Sequence, residues 1–217
     1  FLPSVEELRL KQATEKRFSK ADQALLAAAE SWAEHNPMIG TRGVRLGVVK
    51  PKLYGMQVRA LIEAAFRLAK QGKHPIVEVM IPLTVTREEL ALARGWVQEE
   101  IDRAAELATK LPAKDRKAAE AVIADITIGT MIETPRAAIR ADEIAEEAEF
   151  FSFGTNDLTQ LTFGFSRDDV ESRMMPAYLE QGLLKRNPFE TIDQTGVGDL
   201  VRIGAEQIGR ASCRERV

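Results

Sequence analysis

Three short apolar runs constrain this chain most, because each stops on polar residues and a helix-forming stretch follows at once. They are "PIVEVMIPL" (75–83), "DITIGTMIE" (125–133) and "EFFSFGTN" (149–156). Between and after them lie "TREELALARGWVQEEIDRAAELATK" (86–110), "TPRAAIRADEIAEEA" (134–148) and "DLTQLTFG" (157–164). Strands of this length alternating with helices are the mark of βα units and a parallel sheet. "TRGVRLGVV" (41–49), with Val44, Leu46 and Val48 alternating, reads as a further strand, or the turn into one, ahead of these. "MQVRALIEAAFRLAKQG" (56–72) reads as the helix after it, with Gly72 as a left-handed stop. The long helix at 86–110 is expected to break near Gly95, and "LPAKDRKAAEA" reads as a charged loop with a short helix. Residues 4–35 are helix-rich, with Ser19 placed to cap "KADQALLAAAESWAEH". Thr134 is placed to cap the next βα helix, with Pro135 in its first turn.

Doubly wound sheets and eight-stranded barrels share this rhythm. No glycine-rich dinucleotide fingerprint follows any strand, which counts against the former. Glu133 and Asp157 fall at the C-terminal ends of strand segments, where barrels keep their chemistry, and Arg42 falls in or beside one. The expected fold is therefore α/β, with a (β/α)8 TIM barrel favoured over a doubly wound sheet.

Net charge is −3 with both signs interspersed, so no basic stripe points to nucleic acid. No apolar stretch reaches the ~18 residues of a membrane span, and no signal peptide is visible. The single Cys213 rules out a disulfide framework and fits a reducing compartment such as the cytoplasm. His35 and His74 lie far apart, without metal-ligand spacing, and read as structural or surface residues.

The last ten residues, Ile208–Val217, read "IGRASCRERV", which a common short-read sequencing adapter encodes in this frame. They are expected to be non-native, so the native reading is 1–207 and Cys213 carries no chemistry. The start, "FLPSVEELRL", has no initiator Met and reads as a truncation.

Glu133 and Asp157 are one βα unit apart, so adjacent parallel strands would bring both carboxylates to one rim. Magnesium takes hard oxygen ligands, often only one or two carboxylates completed by substrate and water. The same two residues would equally complement the helix N-termini that follow them. Spacing alone leaves both readings open. Gly154 permits close backbone approach, Thr155 offers N–H and hydroxyl donors, and Asn156 an amide. Arg42 and Arg45 would face opposite ways on a strand, so only one could clamp an oxyanion. Arg167 could reach the same anion or pair with Asp168 or Asp169.

Several segments carry a resemblance. "NPMIGTRGVRLG", "VMIPLT", "IGTMIETPRAA", "FFSFGTNDLTQLTFGFSRDD" and "NPFETIDQTGVG" closely resemble, in order, the pyruvate, phosphate dikinases of the PEP-utilising enzyme family. The match is to the C-terminal phosphoenolpyruvate/pyruvate barrel, roughly strands three to six, and so implies a partial (β/α)8 TIM barrel. The resemblance implies interconversion of ATP, pyruvate and phosphate with AMP, phosphoenolpyruvate and diphosphate, through a phosphohistidine on a separate swivelling domain. Carried over, it implies Mg2+ held by Glu133 and Asp157. It implies substrate contacts from Arg42, Glu133, Gly154, Thr155, Asn156 and Asp157, with Arg167 as a further phosphate-side residue. It implies a homodimeric parent. The family's first-strand Arg, its "CGEHGG"-type segment with the proton-donor Cys, and the nucleotide and phosphohistidine domains have no counterpart in this chain. No turnover is expected from the chain alone. The rival readings are a Mg2+-dependent aldolase or citrate-lyase-type barrel, and a non-catalytic pyruvate-binding module.

Overall fold

The structure, a computed structural model, describes residues 3–15, 18–34 and 36–214. His35, Phe1 and Leu2 lie outside the described residues. The chain divides into two compact units, residues 1–40 and 41–217.

In the first unit, helices α1 (Val5–Thr14) and α2 (Lys20–Ser31) pack on each other. Each opens on a capping box, which satisfies two otherwise orphaned N–H groups. Ser4 Oγ accepts from Glu7 N at 3.1 Å and Glu7 Oε2 accepts from Ser4 N at 3.0 Å. Ser19 and Asp22 repeat the exchange at 3.0 and 3.1 Å, as the sequence predicts for Ser19. Ion pairs Arg9–Glu30 (2.9 Å) and Lys11–Asp22 (2.8 Å) tie the two helices. A 3-10 turn, Pro37–Ile39, follows.

The second unit begins with α3 (Val44–Val49), α4 (Lys52–Lys70), β1 (Glu78–Ile81), α5 (Arg87–Thr109) and α6 (Ala113–Ala124). It continues with β2 (Thr127–Ile132), α7 (Pro135–Ile139), α8 (Ala141–Ile144), β3 (Phe151–Phe153) and α9 (Thr155–Phe163). Helices α10 (Arg167–Val170), α11 (Met174–Glu180) and α12 (Val197–Arg214) complete it. The strands form one parallel sheet in the order β1-β2-β3, with Ile81 beside Thr130 and Ile132 beside Phe153. Strand C-termini therefore lie along one rim.

Ile81, Ile128 and Ile132 pack into the core against Leu90, Ala93, Val97 and Ile101 of α5 and against Ala137, Ala138, Ala141 and Ile144. The α5 residues recur every three or four positions, one helix face. No helix among the described residues is long and apolar enough to cross a membrane.

Three expectations need correction. Residues 44–49 form a helix, not a strand. Val44 and Gly47, three apart, are the buried pair, while Val48 and Val49 are exposed. Gly47 is buried because the stacked rings of Tyr54 and Trp96 leave no room for a side chain there. Helix α5 runs for 23 residues through Gly95 without a break, since Gly in a helix interior costs only about 1 kcal/mol. The run at 149–156 supplies only a short strand, and Thr155 already begins α9. Gly72, at φ 81°, ends α4 in the left-handed conformation expected of it. Helix α12 continues unbroken to Arg214, and Ile208 packs on the core.

Candidate functional site

Glu133 stands immediately after β2 and before Thr134, whose hydroxyl caps α7 by accepting from Ala137 N at 3.2 Å. Its side chain is buried at the sheet rim, 5% exposed. Oε1 accepts from the backbone N–H of Leu83 at 2.6 Å. Leu83 holds that N–H in place with φ at 59°, a left-handed conformation that costs a non-glycine residue energy. Across the sheet, Gly154 gives the carboxylate room: a Cβ there would lie 2.6 Å from Glu133 Cβ and would also collide with Oε2.

Burial pushes the Glu133 carboxyl pKa above its usual range. The Leu83 N–H opposes that shift, the Asp157 charge adds to it, and the Arg42 charge opposes it. Glu133, Asp157 and Arg42 thus feel one another as a single electrostatic cluster.

Asp157 is not at a strand end but in the first turn of α9, where a carboxylate complements the helix dipole. It is 8% exposed. Both of its oxygens are engaged. Arg42 Nη1 donates to Oδ2 at 2.9 Å and Asn156 Nδ2 donates to Oδ1 at 3.3 Å. Asn156 Oδ1 in turn accepts from Arg167 Nη1 at 3.1 Å. Arg167 is held by three further contacts: its N–H on Gln160 Oε1 (2.9 Å), its Nε on Glu171 Oε1 (3.3 Å) and its guanidinium over the Phe189 ring (5.5 Å). Arg42, Asp157, Asn156 and Arg167 form one continuous hydrogen-bonded relay beside Glu133. Thr155 and Asn156 are exposed and, with Thr159, Arg167, Phe189 and Glu190, line a cavity of about 320 Å³.

Arg42 reaches the cluster from a loop before α3 rather than from the expected strand. Gly43, at φ 57°, makes the turn. Val44 N donates to Pro82 O at 3.0 Å, and a Cβ on Gly43 would lie 2.9 Å from Leu83 Cβ. The Pro82–Leu83 turn therefore anchors both sides of the site. Its N–H holds Glu133, and its carbonyl and side chain hold the segment that carries Arg42.

Sequence reasoning missed Leu83, Gln160 and Phe189. "IPLT" carries no sign of a leucine with positive φ. Among the described residues no group of three or more His, Cys, Asp and Glu could hold a metal. At the rim stand the carboxylates of Glu133 and Asp157. That donor set suits a hard cation completing its shell with substrate oxygens.

Comparison with known proteins adds the lineage. The family described as PEP-utilising enzyme, PEP-binding domain, matches residues 18–212. The chain is 46% identical over 209 residues to pyruvate, phosphate dikinase 1, chloroplastic, of Oryza sativa subsp. japonica, covering 95% of this chain and 20% of that protein. It is 46% identical over 209 residues to pyruvate, phosphate dikinase 2 of Zea mays, covering 95% and 22%. It is 47% identical over 191 residues to pyruvate, phosphate dikinase 1, chloroplastic, of Arabidopsis thaliana, covering 88% and 18%. The chain spans about a fifth of the length of these relatives. By the extent of these matches, the chain belongs to the PEP-utilising enzyme family, through its PEP-binding domain.

Proposed function

We propose that this chain is the phosphoenolpyruvate/pyruvate part of a pyruvate, phosphate dikinase, roughly strands three to six of a (β/α)8 barrel. One observation carries the reading: Arg42, Asp157, Asn156 and Arg167 form a relay at the sheet rim, with the buried Glu133 beside it. Glu133 and Asp157 would hold Mg2+, which when bound supplies Lewis-acid stabilisation of negative charge on substrate oxygens.

The chain's own residues supply the rest. Arg42 and Arg167 bring permanent positive charge for the phosphoryl and carboxylate groups. Asn156 and Thr155 present polar groups on the exposed side of the site. Gly154 leaves the space that Glu133 needs. Glu133 and Asp157 are themselves buried, which strengthens charge interactions with them. The proton donor and the phosphohistidine donor would come from other segments of a homodimeric parent, so the chain alone is expected to show no turnover. The proposal keeps the cytoplasmic compartment, a reducing one; two of the three relatives above are chloroplastic by name.

The test uses a full-length dikinase that contains this segment. Glu133→Gln and Asp157→Asn should abolish phosphoryl exchange between phosphoenolpyruvate and pyruvate while the ATP-side half-reaction continues. Retention of pyruvate exchange in both variants would overturn the proposal.

A further inference from the structure

We propose that Arg42 is a resident counter-ion at Asp157, which a metal ion must displace and which the anionic substrate draws away. Cation and anion then bind as a mutually reinforcing pair. This rests on the reading that Glu133 and Asp157 hold a divalent cation.

The geometry sets up the competition. Asp157 Oδ1 is taken by Asn156, and Asn156 is itself fixed by Arg167. On Oδ2, Arg42 Nη1 sits at 2.9 Å, the shorter and the charged contact of the two. Glu133 already gives Oε1 to Leu83 N. A cation arriving alone therefore meets a guanidinium that cannot lose its charge.

The two partners differ in freedom to move. The Asp157 side chain is 10% exposed and fixed in the first turn of a helix, whereas the Arg42 side chain is 40% exposed. Arg42 is the partner that can leave. A phosphate or carboxylate offers it a bidentate acceptor in exchange. Once Arg42 turns to the anion, Oδ2 is released to the cation. By linkage, each ligand must then tighten the other by the same factor.

The test measures Mn2+ binding to the 217-residue chain by electron paramagnetic resonance of the free ion, with and without phosphoenolpyruvate. The wild type should bind Mn2+ weakly alone and about two- to fivefold more tightly with phosphoenolpyruvate, the size of one partly exposed ion pair. Arg42→Gln should bind Mn2+ alone about two- to fivefold more tightly than wild type and lose the phosphoenolpyruvate effect. Arg42→Lys should return to weak binding.

Wild-type binding with no enhancement by phosphoenolpyruvate overturns the proposal, as does an Arg42→Gln variant that binds Mn2+ no more tightly. If Glu133→Gln and Asp157→Asn abolish Mn2+ binding in that second case, only the counter-ion role falls. If both variants bind Mn2+ like wild type, the metal site falls with it. Absence of Mn2+ binding in wild type and Arg42→Gln, with or without phosphoenolpyruvate, overturns both.

Discussion

Replacing Gly154 with Ala is the sharpest probe of how the site is built. At φ −81° and ψ 78° Gly154 lies near the inverse γ-turn conformation, which an L-residue can adopt, so the cost is mainly steric. The new methyl would sit 2.6 Å from Glu133 Cβ, against an ordinary carbon–carbon contact of about 3.5–4.0 Å, an overlap of roughly 1 Å. Glu133 cannot retreat easily. It directly follows the buried end of β2, and its Oε1 is held by Leu83 N at 2.6 Å. Overpacking of this kind costs about 1–3 kcal/mol. For a chain of this size each kcal/mol lowers Tm by about 2–4 °C, so calorimetry should show a fall of about 2–12 °C. A double-mutant cycle then isolates the contact. In a Glu133→Gly background most of the loss should vanish, a coupling of about 1 kcal/mol or more. A Gly154→Ala variant within ~0.3 kcal/mol of wild type, or one whose effect simply adds to that of Glu133→Gly, would refute the argument.

Two further outcomes are expected. Gly95→Ala should stabilise the protein by about 0.5–1 kcal/mol in chemical denaturation, because Gly95 is exposed inside α5 and nothing lies within 4 Å of its added Cβ; destabilisation would show that the helix needs the glycine. Glu133 has a folded pKa above its ordinary 4.5, so the native state holds that proton more tightly than the unfolded chain does. Its contribution to stability therefore falls as pH rises from 4.5 through the folded value, and Glu133→Gln should gain Tm relative to wild type across that window. A constant Tm difference with pH would contradict the burial argument.

The fold was legible where a helix is long or carries a side-chain cap. The apolar stripe at Leu90, Ala93, Val97 and Ile101 fixes the buried face of α5, and Thr134 and Ser19 cap where their sequences place them. "TRGVRLGVV" was misread because a six-residue helix is too short to separate a period of two from one of 3.6. The overlooked clue was Gly47, small because two aromatic rings press on it. At the site, the residue types were readable but their connections were not. Arg42 and Asp157 are 115 positions apart. Only the fold, through the Pro82–Leu83 turn, brings them together, and no local pattern encodes a leucine with positive φ.

Anomalous diffraction from crystals grown with Mn2+ and pyruvate addresses the site directly. A single peak bonded to one oxygen of Glu133 and one of Asp157, with Arg42 turned away from Asp157, is the expected result. A peak on only one of these carboxylates, or on residues elsewhere, would contradict it.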